Sequence, residues 1–284
     1  MTKKQRAKLV AFVLVAAAVL AAAVWQRLHP VAEPVGAQIE GNALVRLHDD
    51  VESYTVPEGV SVIGTFSCDK HFALREITIP EGVREIGGSA FACCTALEYI
   101  ELPSTMKELG ISVFADCTSL QAADLQTSGI RNLEDGTFGG CTQLSEVHLP
   151  SELRIIGDRA FNECRSLKSL ELPDGVRTIG KEAFAECAAL SAFELPAELI
   201  SIGVQAFAGC SSLEEIVIPA GVTELPRWAF ADCTALRRAV IPATVTAIED
   251  LAFQHCENLR IVCEPGSVAE QFATEHEIPF EFLR

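Results

Sequence analysis

Apolar residues recur along this chain at a fixed interval of about 23 residues, separated by polar and turn-forming positions. Phenylalanine, cysteine and leucine stand three residues apart in eight successive copies, which begin with Phe91, Cys94 and Leu97. Prolines keep the same interval from Pro57 to Pro265, with one interruption described below. Four columns that stay in register over so many copies indicate a repeated supersecondary unit.

One copy, residues 167–189, displays the elements that the pattern predicts. Apolar and polar residues alternate before the proline, which predicts a short strand. After the proline, Val-x-x-Ile predicts a second extended segment that ends at a glycine such as Gly180. One copy buries too few apolar side chains to offset the entropy lost on ordering it, so the copies must stack on one another. The sequence therefore predicts a β-rich solenoid.

Both ends of the repeat array depart from the pattern and are predicted to be caps. Residues 42–73 form an N-terminal cap with a degenerate repeat, and residues 74–263 form the regular repeats. Residues 264–284 form the C-terminal cap, with a predicted short helix at 268–275 followed by an extended segment at 278–282. Such caps shield the apolar face that a terminal coil would otherwise expose to water.

The unit Leu-x-x-Ile-x-Ile-Pro-x-x-Val-x-x-Ile-Gly-x-x-Ala-Phe-x-x-Cys resembles the BspA-like leucine-rich repeat of bacterial surface proteins, over about residues 50–282. The resemblance implies a curved, right-handed coil with one parallel sheet of short strands, and a usual role in surface adhesion or protein binding. One repeat departs from the unit, because Gln126 replaces the proline and the step from there to Pro150 is one residue longer than the other steps. We expect a local irregularity or bulge at that loop.

The N-terminus carries a membrane or export signal. Residues 1–8 are a cationic n-region, and residues 9–26 are a hydrophobic helix that is either an uncleaved transmembrane signal anchor or a removable signal peptide. Residues 27–41 are a predicted linker. The positive-inside rule then places the repeats outside the cytoplasm, either anchored at the cell surface or secreted if residues 1–23 are cleaved.

Charge and motif content exclude several function classes. The formal net charge is −17, and because residues 1–30 carry +5, the remainder of the chain carries −22. A surface this acidic repels nucleic acid. The chain has no His-Glu-x-x-His, Gly-x-Ser-x-Gly or Walker motif, and its six histidines are scattered singly. These features predict a protein that is not an enzyme and that has no cofactor.

The 11 cysteines allow more than one interpretation. A disulfide framework or a metal array would need paired or converging thiols, yet the periodic cysteines lie one full coil apart. Neighbouring coils are about 4.8 Å apart, so a disulfide between them is not excluded by distance. We favour a column of small hydrophobic side chains in the core. Cys263, at an outward position of its predicted strand, is expected to be the exposed thiol.

Stacking aligns the outward positions of the first strand into an acidic stripe that becomes apolar toward the C-terminus. It could bind a basic partner or divalent cations, or it could be an ordinary solvated surface. The candidate binding residues of this stripe are Glu76, Tyr99, Glu101, Asp124, Glu146, His148, Glu171, Glu194 and Glu215.

A second column, after the proline, holds five consecutive cations. They could pair with acidic neighbours such as Glu85 and Glu108, or they could bind an anionic glycan or protein surface. The candidate residues of this basic column are Arg84, Lys107, Arg131, Arg154 and Arg177.

These features predict a non-enzymatic cell-surface protein that binds other proteins or glycans, in adhesion or recognition, through the exposed faces of the solenoid. The alternative is a structural or scaffolding component of the bacterial cell envelope. An inhibitor-type binder of an enzyme is a third, weaker hypothesis. The repeat pattern does not identify the ligand, because specificity resides in the exposed side chains.

Overall fold

Each repeat contributes two short strands, and equivalent strands of successive repeats lie side by side. In this computed structural model, which describes residues 36–48 and 51–283, most hydrogen-bonded strand partners are parallel and one repeat apart in the sequence, as in Glu85 and Glu108. The coils therefore stack in register and form the predicted β-solenoid. The predicted n-region, the hydrophobic helix at 9–26 and most of the linker lie outside the described residues.

The first stack of strands comes from the alternating segment before each proline. An isolated bridge between Ser169 and Ala192 continues it through the middle repeats. Its strands are β3 (Ser53–Thr55), β5 (Glu76–Thr78), β7 (Tyr99–Glu101), β9 (Ala122–Asp124), β11 (Glu146–His148), β15 (Glu215–Val217), β17 (Arg238–Val240), β19 (Arg260–Cys263) and β20 (Phe280–Phe282).

The Val-x-x-Ile segments build a second stack of strands, so the expectation of one parallel sheet is wrong. Their backbones pair with the equivalent segments of neighbouring coils, while the last apolar residue of each strand faces the core. The strands are β2 (Ala43–Leu47), β4 (Val62–Ile63), β6 (Glu85–Ile86), β8 (Glu108–Leu109), β10 (Asn132–Leu133), β12 (Ile155–Ile156), β13 (Thr178–Ile179), β14 (Ser201–Ile202), β16 (Glu224–Leu225) and β18 (Ala247–Ile248).

An antiparallel hairpin begins the described chain. Strand β1 (Ala37–Glu40) pairs with β2 across a two-residue turn, Gly41-Asn42, in which Gly41 has φ +63°. A Gly-Asn pair between two alternating segments is a hairpin signal, because Gly adopts positive φ at no steric cost. The structure thus places a strand inside the segment predicted as a linker, residues 27–41. Because β2 also pairs with β4, the hairpin covers the N-terminal coil.

The C-terminal cap confirms the predicted helix and extended segment. Helix α1 spans Val268–Glu275, and the side chain of Ser267 accepts a hydrogen bond from the Glu270 N–H at its start. Such an N-cap satisfies one of the free N–H groups of the first turn. Phe272 packs against Phe253 of the last repeat, with 6.1 Å between ring centroids, and β20 pairs with β19. Together they close the apolar end of the array.

A continuous column of phenylalanine rings runs through the core. Consecutive rings from Phe91 to Phe253 lie 5.2–5.6 Å apart between centroids and are within 18° of parallel. All but Phe253 are fully buried. Offset-parallel rings at this distance are favourable beyond the area they bury. Each ring contacts the rings of both neighbouring coils, so the column couples one repeat to the next.

The residues two positions before and after each phenylalanine from Phe91 to Phe230 form tight turns with left-handed backbone, and so does His255 after Phe253. Glycine occupies some of these positions, such as Gly136 and Gly140, but most hold other residues, such as Gln205 with φ +58°. A residue with a Cβ atom pays a steric cost of about 1–2 kcal/mol in this conformation. The repeat therefore carries backbone strain at its turns, which the buried phenylalanine between them offsets.

Truncation of one ring in the column tests its role. We expect Phe161→Ala to lower the free energy of unfolding by about 3–5 kcal/mol, because the ring is fully buried between Phe138 and Phe184. Urea denaturation followed by circular dichroism measures the change. Phe72→Ala removes the same atoms from a side chain that is 63% exposed and is the control. Similar losses in the two variants would contradict the proposed role of the column.

Glycine at a strained turn should stabilise the fold. We expect Gln205→Gly to raise the free energy of unfolding by about 0.5–1 kcal/mol, because removal of the steric cost outweighs the added entropy of the unfolded chain. Gln121→Gly, at an exposed position without positive φ, should instead lower it. Thermal melts of both variants check the prediction, and a stabilised Gln121→Gly with a destabilised Gln205→Gly would refute it.

Candidate functional site

The centre of the acidic stripe lies on β7, β9 and β11. The register aligns Tyr99 with Ala122 and Glu146 in one column, and Glu101 with Asp124 and His148 in the other. These side chains alternate with the buried residue at the middle of each strand, so they point away from the core. The structure therefore brings five of the predicted binding residues into one surface.

Polar contacts connect the side chains of this surface. The Tyr99 hydroxyl donates to a Glu101 carboxylate oxygen at 3.3 Å. The His148 ring lies between two carboxylates, with Nε2 3.3 Å from Glu146 and Nδ1 3.8 Å from Asp124. Partial burial and then the negative charge of Glu101 and Asp124 raise the pKa of Tyr99. The hydroxyl thus remains protonated and can donate a hydrogen bond at neutral pH.

The other residues of the acidic stripe are exposed but less connected. Glu76 lies on β5, which pairs with β3 rather than with β7. Glu171 and Glu194 are exposed on segments joined only by the bridge between Ser169 and Ala192. Glu215 forms an ion pair with Arg238 of the next coil, which neutralises it. The part of the stripe in which paired strands hold several carboxylates together is therefore its N-terminal half, on β7, β9 and β11.

The basic column is divided into paired and unpaired cations. Arg154 lies 3.8 Å from Glu152, and Arg177 lies 3.2 Å from Glu198. Within residues 36–48 and 51–283, no ion pair involves Arg84, Lys107 or Arg131, the remaining cations of the column. Pairing with acidic neighbours, one of the two alternatives for this column, is thus seen for Arg154 and Arg177, but with Glu152 and Glu198 in place of Glu85 and Glu108. Side-chain rotamers and neighbouring turns decide such partners, and the repeat pattern does not encode them.

The periodic cysteines are a core column, as predicted. All 11 thiols are free, and those that follow the phenylalanine column are buried. Each donates a hydrogen bond to a backbone carbonyl of the preceding coil, as Cys187 does to Phe161 at 3.1 Å. Burial raises the pKa of Cys187 to about 12, so the thiolate is scarce at neutral pH. In the described part of the chain, no group of His, Cys, Asp and Glu side chains could hold a metal ion.

The prediction that Cys263 is the exposed thiol is wrong. Strand β19 pairs Arg238 with Arg260 and Val240 with Val262, an interval one residue shorter than that of the other coils. A shift of one residue exchanges the faces of a strand, so positions 261 and 263 are no longer the outward ones. Cys263 is fully buried beneath the C-terminal cap. The partly exposed thiol is Cys93, in a turn where it follows the core phenylalanine by two residues.

Comparison with known proteins identifies the family of this chain. The sequence model of the BspA type leucine rich repeat region matches residues 38–153 and 131–260, with six copies. The chain belongs to the BspA-type leucine-rich repeat family. A comparison with curated proteins gave no match.

Solved structures of bacterial leucine-rich repeat proteins share the fold of this BspA-type chain. A protein from Eubacterium ventriosum is 25% identical with a TM-score of 0.56, over 66% of this chain and 48% of that one. The pneumococcal vaccine antigen PcpA is 18% identical with a TM-score of 0.57, over 83% and 68%. The leucine-rich repeat protein of T. pallidum is 22% identical with a TM-score of 0.51, over 87% and 97%. The present chain thus spans about half the length of the Eubacterium protein.

The described residues contain no helix with the length and apolar character needed to cross a membrane. The predicted anchor at 9–26 and the attached n-region lie outside the described residues.

Thiol accessibility tests the core column and the register of β19. At pH 8 in the folded protein, we expect an alkylating reagent to modify Cys93 slowly and the other thiols not at all, because those are buried. Burial and then the charge of Asp116 raise the pKa of Cys93, which slows its reaction. Intact-protein mass spectrometry counts the adducts, and denaturation should release all 11 thiols. Prompt native labelling of Cys263 or of the column would contradict the assignment.

Proposed function

We propose that this BspA-type protein acts outside the cytoplasm as a non-enzymatic recognition protein that binds other proteins or glycans through exposed faces of the solenoid. The favoured ligand is a protein with a basic surface, bound at the acidic stripe. We also propose that this binding serves adhesion and that residues 9–26 attach the protein to the membrane. The cationic n-region before an apolar segment and the family of bacterial leucine-rich repeat proteins support the location.

The observation that carries the proposal is the surface around Tyr99. The ring is 46% exposed and stands among three carboxylates, those of Glu101, Asp124 and Glu146, in a register fixed by β7, β9 and β11. Tyrosine is enriched at the centres of protein interfaces, since it buries a large ring and keeps a polar tip. Because the strands are rigid, little entropy would be lost when a partner binds.

Electrostatics favour a basic partner over an anionic one at this surface. Among the described residues of the stripe's N-terminal half, His148 is the single group that can offset the carboxylates, and it does so only when protonated. Like charges in adjacent strands destabilise a sheet. A partner that supplies lysine or arginine side chains would relieve that repulsion and would be attracted from a distance. Binding should therefore weaken as salt concentration rises.

Capture experiments with matched variants test the stripe. We expect the variant Tyr99→Ala/Glu101→Gln/Glu146→Gln to lose about tenfold or more of its affinity for a captured basic matrix protein, since it removes the aromatic anchor and two charges. The control is Phe72→Ala/Glu85→Gln/Glu224→Gln, which makes equivalent changes at exposed positions outside the stripe. Biolayer interferometry at several salt concentrations measures both variants.

The source of the captured protein distinguishes recognition of a foreign partner from the scaffolding alternative. Capture from host extracellular matrix proteins, reduced in the stripe variant alone, supports recognition of a foreign partner. Capture from the cell's own envelope fraction and not from matrix proteins would favour the scaffolding alternative. Equal capture by the stripe and control variants would remove the acidic stripe from the proposal.

A further inference from the structure

Two phenylalanines of the N-terminal coil face solvent instead of the core. Phe66 and Phe72 are each 63% exposed, the highest value among the large apolar side chains of the described residues. Other residues of this coil occupy the core columns, since Cys68 replaces the phenylalanine and His71 replaces the cysteine, and both are buried. The two exposed rings, which we call the N-terminal aromatic patch, are therefore outside the core and would gain free energy by leaving water.

The backbone at Phe66 adopts a conformation that is costly for a bulky residue. Its φ is +56°, in the left-handed region. The equivalent turn position holds Ser89, Ser112 and Gly136 in the next three coils, which are small residues suited to an exposed turn. A large apolar ring at an exposed and strained turn is not explained by packing within the described chain. Such strain is concentrated at functional positions in proteins.

The N-terminal aromatic patch lies beside the point at which the described chain begins. The residue that follows the first ring, Ser67, accepts a hydrogen bond from the Leu47 N–H at 2.7 Å. The residue that precedes the second ring, His71, has its Nε2 atom 2.5 Å from the His48 carbonyl oxygen. The His48 N–H in turn donates to the carbonyl of Gly36, the first described residue, at 2.7 Å. Both rings are thus next to residues that contact the end of the hairpin where the chain enters.

A short stretch of chain connects this end of the solenoid to the proposed membrane segment. Residues 27–35 separate Gly36 from residues 9–26, and nine residues span at most about 30 Å when fully extended. The patch therefore stays close to a bilayer that holds residues 9–26. A tether of this length gives a high effective concentration, so a weak apolar contact is sufficient for binding. Charge does not oppose the contact, because the segment between the rings carries one carboxylate and one cation, Asp69 and Lys70, which pair at 3.2 Å.

We propose that the N-terminal aromatic patch inserts into the surface of the lipid bilayer on the extracytoplasmic side. This inference rests on the proposed attachment through residues 9–26 and adds a second contact with the same membrane. Phenylalanine rings enter the boundary between headgroups and acyl chains, where apolar faces of peripheral proteins are buried about 5–10 Å deep. The stem of Lys70 lies along that boundary while its ammonium group stays in water. Attachment at two points then fixes the orientation of the solenoid, and of its acidic stripe, relative to the membrane.

Tryptophan quenching in nanodiscs tests the membrane contact. The full-length protein is reconstituted, one copy per disc, in phosphatidylcholine with brominated acyl chains, because bromine quenches tryptophan only at close range. The reporter is Phe72→Trp in the variant Trp25→Phe/Trp228→Phe, which has no other tryptophan. We expect its emission to fall about twofold or more relative to discs of unbrominated phosphatidylcholine, since the ring lies at the boundary with the acyl chains. A Phe66→Trp reporter should give the same result.

The chain offers a matched control for the reporter at residue 66. Trp228 occupies the same turn position in a distant coil, with φ +59° against +56° at Phe66, which also shows that tryptophan is compatible with this backbone. In the Trp25→Phe protein, Trp228 should give equal emission in brominated and unbrominated discs, because its coil is far along the solenoid.

A second pair of variants tests whether the two rings act together. Phe66→Ser, added to the Phe72→Trp reporter, should reduce its quenching by about half, since one of the two inserted rings is lost. Serine is the native residue at this turn in the next two coils, so the variant should fold. The control is Ile111→Ser, which removes an apolar side chain that is 58% exposed outside the patch and should leave the quenching unchanged.

Elution with the nanodiscs measures attachment separately from the contact made by the patch. Protein that elutes with the discs but whose reporters are not quenched would overturn the inference and leave the attachment through residues 9–26 standing. Protein that does not enter the discs would overturn the attachment and this inference with it. Blue-shifted but unquenched reporter emission would also overturn the inference, because another part of the protein would then cover the rings. Equal quenching of Trp228 and of the reporters would do the same, since general proximity to the bilayer would explain it.

Discussion

The stacking of phenylalanine rings is the interaction on which the rest of this solenoid depends. Successive centroids are 5.2–5.6 Å apart, somewhat more than the strand spacing of about 4.8 Å, as expected for rings that stack with an offset. The ring column therefore fits the rise that the backbone ladders demand. Since no single repeat can bury its ring alone, stability and register both arise between repeats. The alignment of surface side chains, including the acidic stripe, follows from that register.

The column of buried thiols lies in the same core and links it to the backbone by hydrogen bonds. A thiol is small enough to fit beside the rings and carries a weak donor, so it can approach a carbonyl in a dry interior. The bond from Cys164 to the Phe138 carbonyl, at 3.3 Å, joins two coils in this way. Burial raises the pKa of the Cys164 thiol well above its usual range, which keeps that thiol unreactive. An abundance of cysteine is therefore part of the packing and not evidence for redox or metal chemistry in this chain.

Much of the fold was predictable because the repeat imposes the same environment on every copy. The period located the strands, the core columns and the irregular repeat, and local capping signals located helix α1 at Val268–Glu275. Predictions failed where one residue or one rotamer decides the outcome. The shortened pairing interval of β19 buried Cys263, and the ion partners of Arg154 and Arg177 are set by nearby turns. For the site, the sequence located the exposed columns, but which of their residues paired strands bring together was decided by the structure.

The irregular repeat shows how such a protein can alter an exposed ladder at little cost. The extra residue lies on the surface loop, and the Phe114–Phe138 stack beneath it keeps a centroid distance of 5.5 Å, like its neighbours. The core therefore continues without interruption while the ladder above it opens between β8 and β10. Because the lost hydrogen bonds are on a surface that water reaches, their absence costs less than a cavity in the core would. A solenoid whose stability resides in one buried column is thus free to vary its exposed ladders, and recognition can evolve there without loss of the fold.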